Sequence, residues 1–264
     1  MDRKHIHQHY QKADAGFVDQ VLEWFDRVDQ QYTMMVTNFL DPHQVVIVQQ
    51  LAGRTDLQVF VSSDFYPSEY ARVIIAPAYY ALDTEDFAIS LIEIGFASKF
   101  NQLRHSQILG TLLNQLGMER WVFGDILVGP DKAQFYVDAR MSDHIVASIT
   151  KISRVAVKLR AVPLTERMQV EEKVVVKDIL ASSLRLDKIV AASFNLARAK
   201  ASQLITSGKV KVNYHEVDQV ASVIQVGDLI SVRGFGRLTV LEEKGLSRQG
   251  KHKLSVEVLR SKKS

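Results

Sequence analysis

The sequence predicts an α+β protein with three domains. Helix and strand patterns alternate over residues 1–75, and a β-α-β-β-α-β order follows over residues 76–165. The third observation is a charge asymmetry. Residues 182–264 hold 15 basic and 7 acidic residues, a net +8, whereas the remaining 18 basic and 23 acidic residues give −5. Such an asymmetry indicates that contact with a polyanion or an anionic surface is concentrated in the last segment.

The composition excludes several classes of protein. The chain has 264 residues, 47% of them hydrophobic, so it can bury more than one core. It contains no cysteine, which excludes disulfides, thiolate nucleophiles and cysteine-bound metals. The N-terminal "MDRKHIHQHYQK" is too polar for a signal peptide, and no apolar run reaches the length of a membrane span. We therefore expect a cytoplasmic protein.

The N-terminal domain, residues 1–75, is predicted to be a small α/β unit. An apolar stripe at helical spacing runs from Phe17 to Val28. "FLDPHQVVIVQQLAG" predicts a short strand and then a helix that begins at Asp41-Pro42 and ends near Gly53. "LQVFVSS" and "ARVIIAP" are typical of strands.

The middle domain, residues 76–165, is predicted to be ferredoxin-like. "FAISLIEIGF" favours a strand, "LRHSQILGTLLNQLG" a helix closed by Gly117, and "VFGDILVGPDKAQFYVDARM" a hairpin. "SDHIVASIT" favours a second helix and "SRVAVKLRAV" a last strand. RNA-recognition (RRM-like) modules share this βαββαβ order with many enzymes, so the topology alone does not decide the function.

The last part of the chain is predicted to be a linker, residues 166–181, followed by a basic module, residues 182–264. "SLRLDKIVAASF" and "LARAKASQLITSG" favour two helices. "KVKVN", "DLISVRGF" and "RLTVLEE" favour strands, and "QGKHKLSVEVLRSKKS" adds another strand with a basic tail. The apolar residues of the two helices are expected to cover each other.

The basic module carries the candidate binding chemistry. Lys209, Lys211 and Asn213 alternate with valines, so their side chains share one face at intervals of about 7 Å, close to the spacing of phosphates along a nucleic-acid strand. Arg198 and Lys200 lie at a predicted helix start, where unpaired backbone N–H groups also favour phosphate. In "RGFGRL" the glycines favour a turn or bulge, from which Arg233 and Arg237 would project toward RNA. Together with Lys209 and Lys211, these two arginines are called the strand cations below.

These residues carry a resemblance to a known RNA-binding fold. "RLDKIVAASFNLARAKASQLITSGKVKVN", followed by "VGDLISV", resembles the domain named after the fourth small-subunit ribosomal protein, the S4-type domain. The resemblance adds Arg185 and Lys188 to the candidate site and implies binding of structured RNA, mostly through phosphates and shape. Ala197 stands where that family usually has a capping serine, and Asn195 is the alternative cap two residues earlier.

The whole chain resembles the YlmH family of bacterial proteins. "SLRLD", "FNLARAKA", "GDLISVRGFGRL" and the order of the three domains carry this resemblance. It implies a non-enzymatic RNA-binding protein, and we expect a monomer with no cofactor. Its ligands would be the rRNA of the large ribosomal subunit and tRNA, in ribosome quality control on subunits blocked by peptidyl-tRNA. The resemblance also implies a link to cell division.

Other readings of the sequence compete with this one. Tyr136 and Arg140, on one face of a middle-domain strand, could form a secondary RNA contact by stacking, although a packing role is favoured. Alternating histidines in "HIHQH" favour a solvated terminus over a metal site. RNA-modifying enzymes carry similar C-terminal modules, but "GRLTVL" has Thr239 where a pseudouridine synthase needs an aspartate. An accessory of such an enzyme, or a cell-division adaptor that uses the acidic domains for protein contacts, stays open.

Overall fold

The computed structural model describes residue 10, residues 12–170 and residues 174–260. The chain divides into two compact units, residues 1–170 and residues 171–264. The predicted N-terminal and middle domains together form the first unit, because their apolar residues share core clusters: Phe39 packs with Leu91 and Tyr136, and Ile74 packs with Phe87. Each unit has its own buried core.

The first part of unit 1 is a helical layer on a small sheet. Helix α1 spans Ala15–Gln31 and α2 spans Pro42–Ala52. Strands β1 (Met35–Val36), β2 (Gln58–Val61) and β3 (Val73–Ala76) form an antiparallel sheet in the order β1-β3-β2. The predicted start of α2 is confirmed: Asp41 and Gln44 form a capping box, and proline occupies the first helical turn.

The second part of unit 1 contains five antiparallel strands. They are β4 (Ile89–Phe96), β5 (Phe123–Val128), β6 (Lys132–Asp138), β7 (Lys151–Ile152) and β8 (Val155–Val162), in the order β5-β6-β4-β8-β7. Helix α3 (His105–Gln115) lies between β4 and β5 in the chain, and α4 (Ser142–Ser148) lies between β6 and β7. Ile108 of α3 and Ile145 of α4 share a core with Ile92 and Phe135 of the sheet, so both helices pack on one face of it.

Unit 2 is a six-stranded antiparallel sheet with two helices. Helices α5 (Leu186–Phe194) and α6 (Arg198–Thr206) pack on strands in the order β11-β10-β12-β13-β14-β9. The strands span β9 (Val174–Ala181), β10 (Val210–Val212), β11 (His215–Glu216), β12 (Leu229–Val232), β13 (Gly236–Leu246) and β14 (His252–Arg260). Leu186, Ile189 and Val190 of α5 share the core with Leu204 and Ile205 of α6, which confirms the predicted cover between the helices.

Strand β9 corrects the prediction of a linker over residues 166–181. "VVVKDILA" pairs along its whole length with β14, from Val174 opposite Leu259 to Ala181 opposite His252. Ile179 and Ala181 are buried in the core of unit 2, while Asp178 faces away from it. The charged stretch that precedes the strand suggested a solvated segment, but the strand itself has the period-two burial of a sheet edge.

Glu93 is a buried carboxylate in the five-stranded sheet of unit 1. It accepts hydrogen bonds from Lys132 Nζ at 2.5 Å, Arg160 Nη2 at 2.6 Å and Gln134 Nε2 at 3.3 Å. The hydrogen bond from Lys132, aided by those from Arg160 and Gln134, outweighs burial and lowers the pKa of Glu93 to about 2. The carboxylate therefore stabilises the folded unit when it is charged.

We expect Glu93→Gln to reduce stability at pH 7 by about 1.5 kcal/mol, the low end for charge-assisted hydrogen bonds, because the cationic partners are partly exposed. The folded-state pKa is depressed, so this stabilisation is present above the ordinary value of 4.5 and is lost as the pH falls toward about 2. Urea unfolding from pH 7 to pH 3 should show the variant and the wild type converging in acid. A difference that is independent of pH would contradict this expectation, and Asp131→Asn at an exposed carboxylate is the control.

Candidate nucleic-acid interface

A buried carboxylate organises the start of α5 in unit 2. Asp187 is 0% exposed, and its oxygens accept hydrogen bonds from Arg185 Nε at 3.0 Å and from Arg198 Nε at 2.8 Å. The side chain of Arg185 is 34% exposed and that of Arg198 is 59% exposed. One buried anion therefore fixes two guanidinium groups, from the starts of two helices, with nitrogen atoms still accessible to a ligand.

The charge on Asp187 is secured by these partners. Burial by itself would raise the pKa of Asp187, but the hydrogen bonds from Arg185 and Arg198 outweigh it and hold the pKa below its usual range. Asp187 stands in the "RLDK" start of the S4-type pattern, but no binding role for it follows from the sequence. Its position between the apolar residues Leu186 and Ile189 was a signal that this aspartate is buried, because those residues form the buried face of the helix.

The start of α6 is now defined. Ala197 is the residue before the helix and makes no side-chain capping hydrogen bond. Asn195 instead ends α5 in the left-handed conformation, with φ of 55°. Arg198 is therefore the first residue of α6, where backbone N–H groups lack helical acceptors. Its guanidinium lies at the positive end of the helix dipole.

The strand cations form a second group on the outer face of the sheet. Lys211 is opposite Ser231, which is opposite Arg237, so Lys211 and Arg237 share one face across three strands. The backbone N–H of Arg233 donates to the carbonyl of Lys209 at 2.9 Å, which extends the same ladder by one pair. Because Val210 is buried between Lys209 and Lys211, both lysines lie on the face opposite the core.

The three other predicted residues of unit 2 have different environments. Lys188 is half-buried in α5, and Lys200 is exposed, with Nζ 3.1 Å from the side-chain oxygen of Gln203. The side chain of Asn213 makes hydrogen bonds inside the domain: Nδ2 donates to Asp228 at 2.8 Å, and Oδ1 accepts from the backbone of Leu229 at 2.9 Å. With φ of 48°, Asn213 shapes the turn after β10.

At Tyr136 the structure agrees with the favoured packing role and not with the stacking contact that the sequence left possible. Tyr136 is 1% exposed and packs with Phe39 and Leu91 on the sheet face that has no helix. Gly124 permits this close packing, since a Cβ there would lie 2.8 Å from the Phe39 ring and 2.9 Å from Tyr136 Cβ. A base could reach Tyr136 only by displacing this core. Arg140 is exposed but bound to Asp138, with Nη2 2.6 Å from Oδ2.

The histidines of "HIHQH", at positions 5, 7 and 9, lie outside the described residues. Across the described ranges no helix is long and apolar enough to cross a membrane.

Comparison with known proteins agrees with this arrangement. Residues 13–80 match the family model "YlmH, N-terminal", residues 83–166 match "Putative RNA-binding domain in YlmH", and residues 184–230 match "S4 domain". The chain is 33% identical over 252 residues to "Ribosome-associated protein quality control protein P2" of Bacillus subtilis (strain 168), which covers 96% of this chain and 98% of that protein.

A solved structure is also similar. The cell division protein YlmH from Streptococcus pneumoniae is 38% identical and superposes with a TM-score of 0.56, covering 61% of this chain and 98% of that one. The matched domains account for most of the sequence, in the order that the fold shows. The chain belongs to the YlmH family and carries a C-terminal S4 domain.

Proposed function

We propose that this protein binds RNA on the large ribosomal subunit, contacts rRNA and tRNA, and acts without catalysis in quality control of subunits blocked by peptidyl-tRNA. The observation that carries the proposal is the pair of guanidinium groups that Asp187 holds at the starts of α5 and α6. The name of the Bacillus subtilis relative, a ribosome-associated quality control protein, supports the ribosome as the site of action.

The geometry of the cations suits structured RNA. Arg185 and Arg198 are fixed in direction, so they can select phosphates at one spacing, as in a folded RNA helix. Lys209 and Lys211 add charge along a strand, which increases affinity without reading bases. Such a surface favours shape and phosphate recognition over sequence recognition.

The absence of catalysis is proposed from the residues at the one motif that resembles an enzyme signature. Thr239 occupies the position that would need an aspartate in a pseudouridine synthase, and it lies within β13, opposite Leu229 and Glu257. A hydroxyl paired inside a sheet does not supply the carboxylate that such chemistry requires.

An adaptor in cell division is the second candidate, and the name of the Streptococcus pneumoniae relative favours it. In that case unit 1 would bind a protein, and the S4 domain would be secondary. The two functions predict different sedimentation of the protein from a cell lysate: with the large ribosomal subunit, or apart from it.

Sedimentation of the tagged protein through ribosome gradients tests the proposal. We expect enrichment in the large-subunit fraction at low salt, with release as the salt concentration rises, because phosphate contacts are screened. Enrichment should increase when peptidyl-tRNA is trapped on the subunit. A protein that stays at the top of the gradient at low salt would contradict the ribosomal proposal and favour the adaptor.

A further inference from the structure

Unit 1 separates its charges between the two ends of the five-stranded sheet. At the carboxyl end of β4, Gly95 lies opposite Lys132 of β6 and Lys158 of β8. The loop 97–104, the turn 129–131 and the turn 153–154 therefore meet at that end. The opposite end includes residues 83–88, which lead into β4, and residues 138–143, which follow β6. Residues 119–122 before β5 and residues 163–167 after β8 also lie there, each with one acidic and one basic residue.

The two ends carry opposite charge. Segments 97–104, 129–132 and 151–158 contain six basic residues and one acidic residue, Asp131; the basic residues are Lys99, Arg104, Lys132, Lys151, Arg154 and Lys158. Segments 83–88 and 138–143 contain five acidic residues and one basic residue, Arg140; the acidic residues are Asp83, Glu85, Asp86, Asp138 and Asp143. Residues 1–181 are therefore acidic overall but include one basic region, at this end of the sheet.

An exposed aromatic ring lies on this basic end. Phe100 is 87% exposed, more than any other large hydrophobic side chain in the described ranges. Its loop is ordered by hydrogen bonds: the backbone N–H groups of Phe100 and Asn101 both donate to the carbonyl of Ala97 at 3.1 Å, and Leu103 is buried. The fold therefore presents the ring to solvent on a fixed turn, directly after the exposed Lys99.

Two lysines on neighbouring strands lie on either side of the exposed backbone of Gly95. Lys132, Gly95 and Lys158 form one cross-strand row on the face without helices, and Gly95 is exposed and has no side chain to fill the row. In the next row Glu93 binds Lys132 and Arg160. Lys132 is thus held in place by a buried anion, as Arg185 and Arg198 are in unit 2.

We propose that this end of unit 1 binds an unpaired segment of RNA. One base stacks on Phe100, and the adjoining phosphates contact Lys99, Lys132 and Lys158. A lone ring among cations suits this ligand, because every base offers a π-face and every nucleotide a phosphate, whereas a base inside a duplex is not free to stack. The proposal extends the proposed function in that its ligand is RNA, and it replaces the buried Tyr136 as the stacking residue.

The test uses the full chain and two RNA hairpins with the same stem, one blunt and one with a 3′ tail of ten uridines. Phe100→Ala should weaken binding of the tailed hairpin by about 5- to 150-fold, as expected for one stacked base, and leave the blunt hairpin unchanged. Lys99→Ala with Lys158→Ala should lower the salt dependence for the tailed RNA only. Trp121→Ala, at a half-exposed ring outside this end, is the matched control and should change neither.

A second variant separates stacking from other effects of the ring. Phe100→Trp should keep the affinity for tailed RNA, and its added fluorescence, measured over that of the two native tryptophans, should be quenched by tailed but not by blunt RNA. The proposal is overturned if Phe100→Ala leaves tailed binding unchanged or weakens both hairpins equally. It is also overturned if poly-glutamate or phosphatidylglycerol vesicles bind with the same dependence on Phe100.

Failure of this inference is distinct from failure of the proposed function. Lys200→Ala with Lys209→Ala and Lys211→Ala should weaken the blunt hairpin, which depends on the S4 domain. If that variant loses blunt binding while Phe100→Ala has no effect, the inference is wrong and the proposed function stands. If the lysine variant binds blunt RNA like the wild type, the S4 domain is not the main RNA site, whatever the result at Phe100.

Discussion

Replacement of Lys200, Lys209 and Lys211 by alanine is expected to weaken RNA binding by about 100- to 500-fold at 0.1 M salt. If each lysine contacts one phosphate, the slope of log affinity against log salt should fall by roughly 0.7 to 0.9 per lysine. All three side chains are exposed, so the folded state should be unaffected. Fluorescence anisotropy with a structured rRNA fragment across a salt series measures both quantities.

Arg198 is left out of this variant for a structural reason. If Arg198 were removed, the buried Asp187 would lose one of the two arginines that donate to it, and the folded state would become less stable. A loss of RNA binding could then not be separated from a loss of stability. Arg248→Ala with Lys251→Ala, in the turn between β13 and β14, removes exposed cations from another part of the same unit and serves as the control. An unchanged salt slope in the triple lysine variant would place the RNA contact elsewhere.

Local patterns predicted most elements, and long-range pairing explains what they missed. Two local signals are the capping box at Asp41, at the start of α2, and Gly208, which has a positive φ and follows α6. Both helices, and strand β10 after Gly208, lie where the sequence predicts them. Strand β9 was missed because its partner residues in β14 are 71 to 85 positions away and the residues before β9 are charged. The residues of "VVVKDILA" do not themselves show that this segment pairs with a distant strand at the edge of a sheet.

The candidate site shows the same division between local and distant information. Strand alternation placed Tyr136 on one face of its strand, but Phe39, which covers it, comes from nearly 100 residues earlier. The strand cations follow from alternation alone, since Lys209 and Lys211 flank the buried Val210. The role of Asp187 depends on Arg198, eleven positions away on another helix, so it became visible only in three dimensions.

Asp187→Asn is expected to weaken binding of structured RNA by about tenfold even though it makes the protein more positive. Long-range electrostatics alone predicts tighter binding, because one negative charge is removed. The loss is expected because the neutral amide has one acceptor oxygen in place of the two carboxylate oxygens that Arg185 and Arg198 use, and it has no charge to attract them. Both guanidinium groups therefore gain rotamer freedom that RNA must then restrict. Asp218→Asn, at an exposed aspartate of the same unit, makes the same change in charge and should bind RNA as tightly as the wild type or slightly more tightly.

The same substitution should lower the free energy of unfolding of unit 2 by about 2 kcal/mol at pH 7, the middle of the range for hydrogen bonds to charged groups. The folded-state pKa of Asp187 is depressed, so its stabilisation is present above the ordinary value of 3.8 and is lost as the pH falls below it. Anisotropy with both asparagine variants, together with urea unfolding at pH 7 and pH 3, tests binding and stability separately. If Asp187→Asn binds RNA as tightly as Asp218→Asn while remaining folded, the buried carboxylate does not position the arginines for RNA.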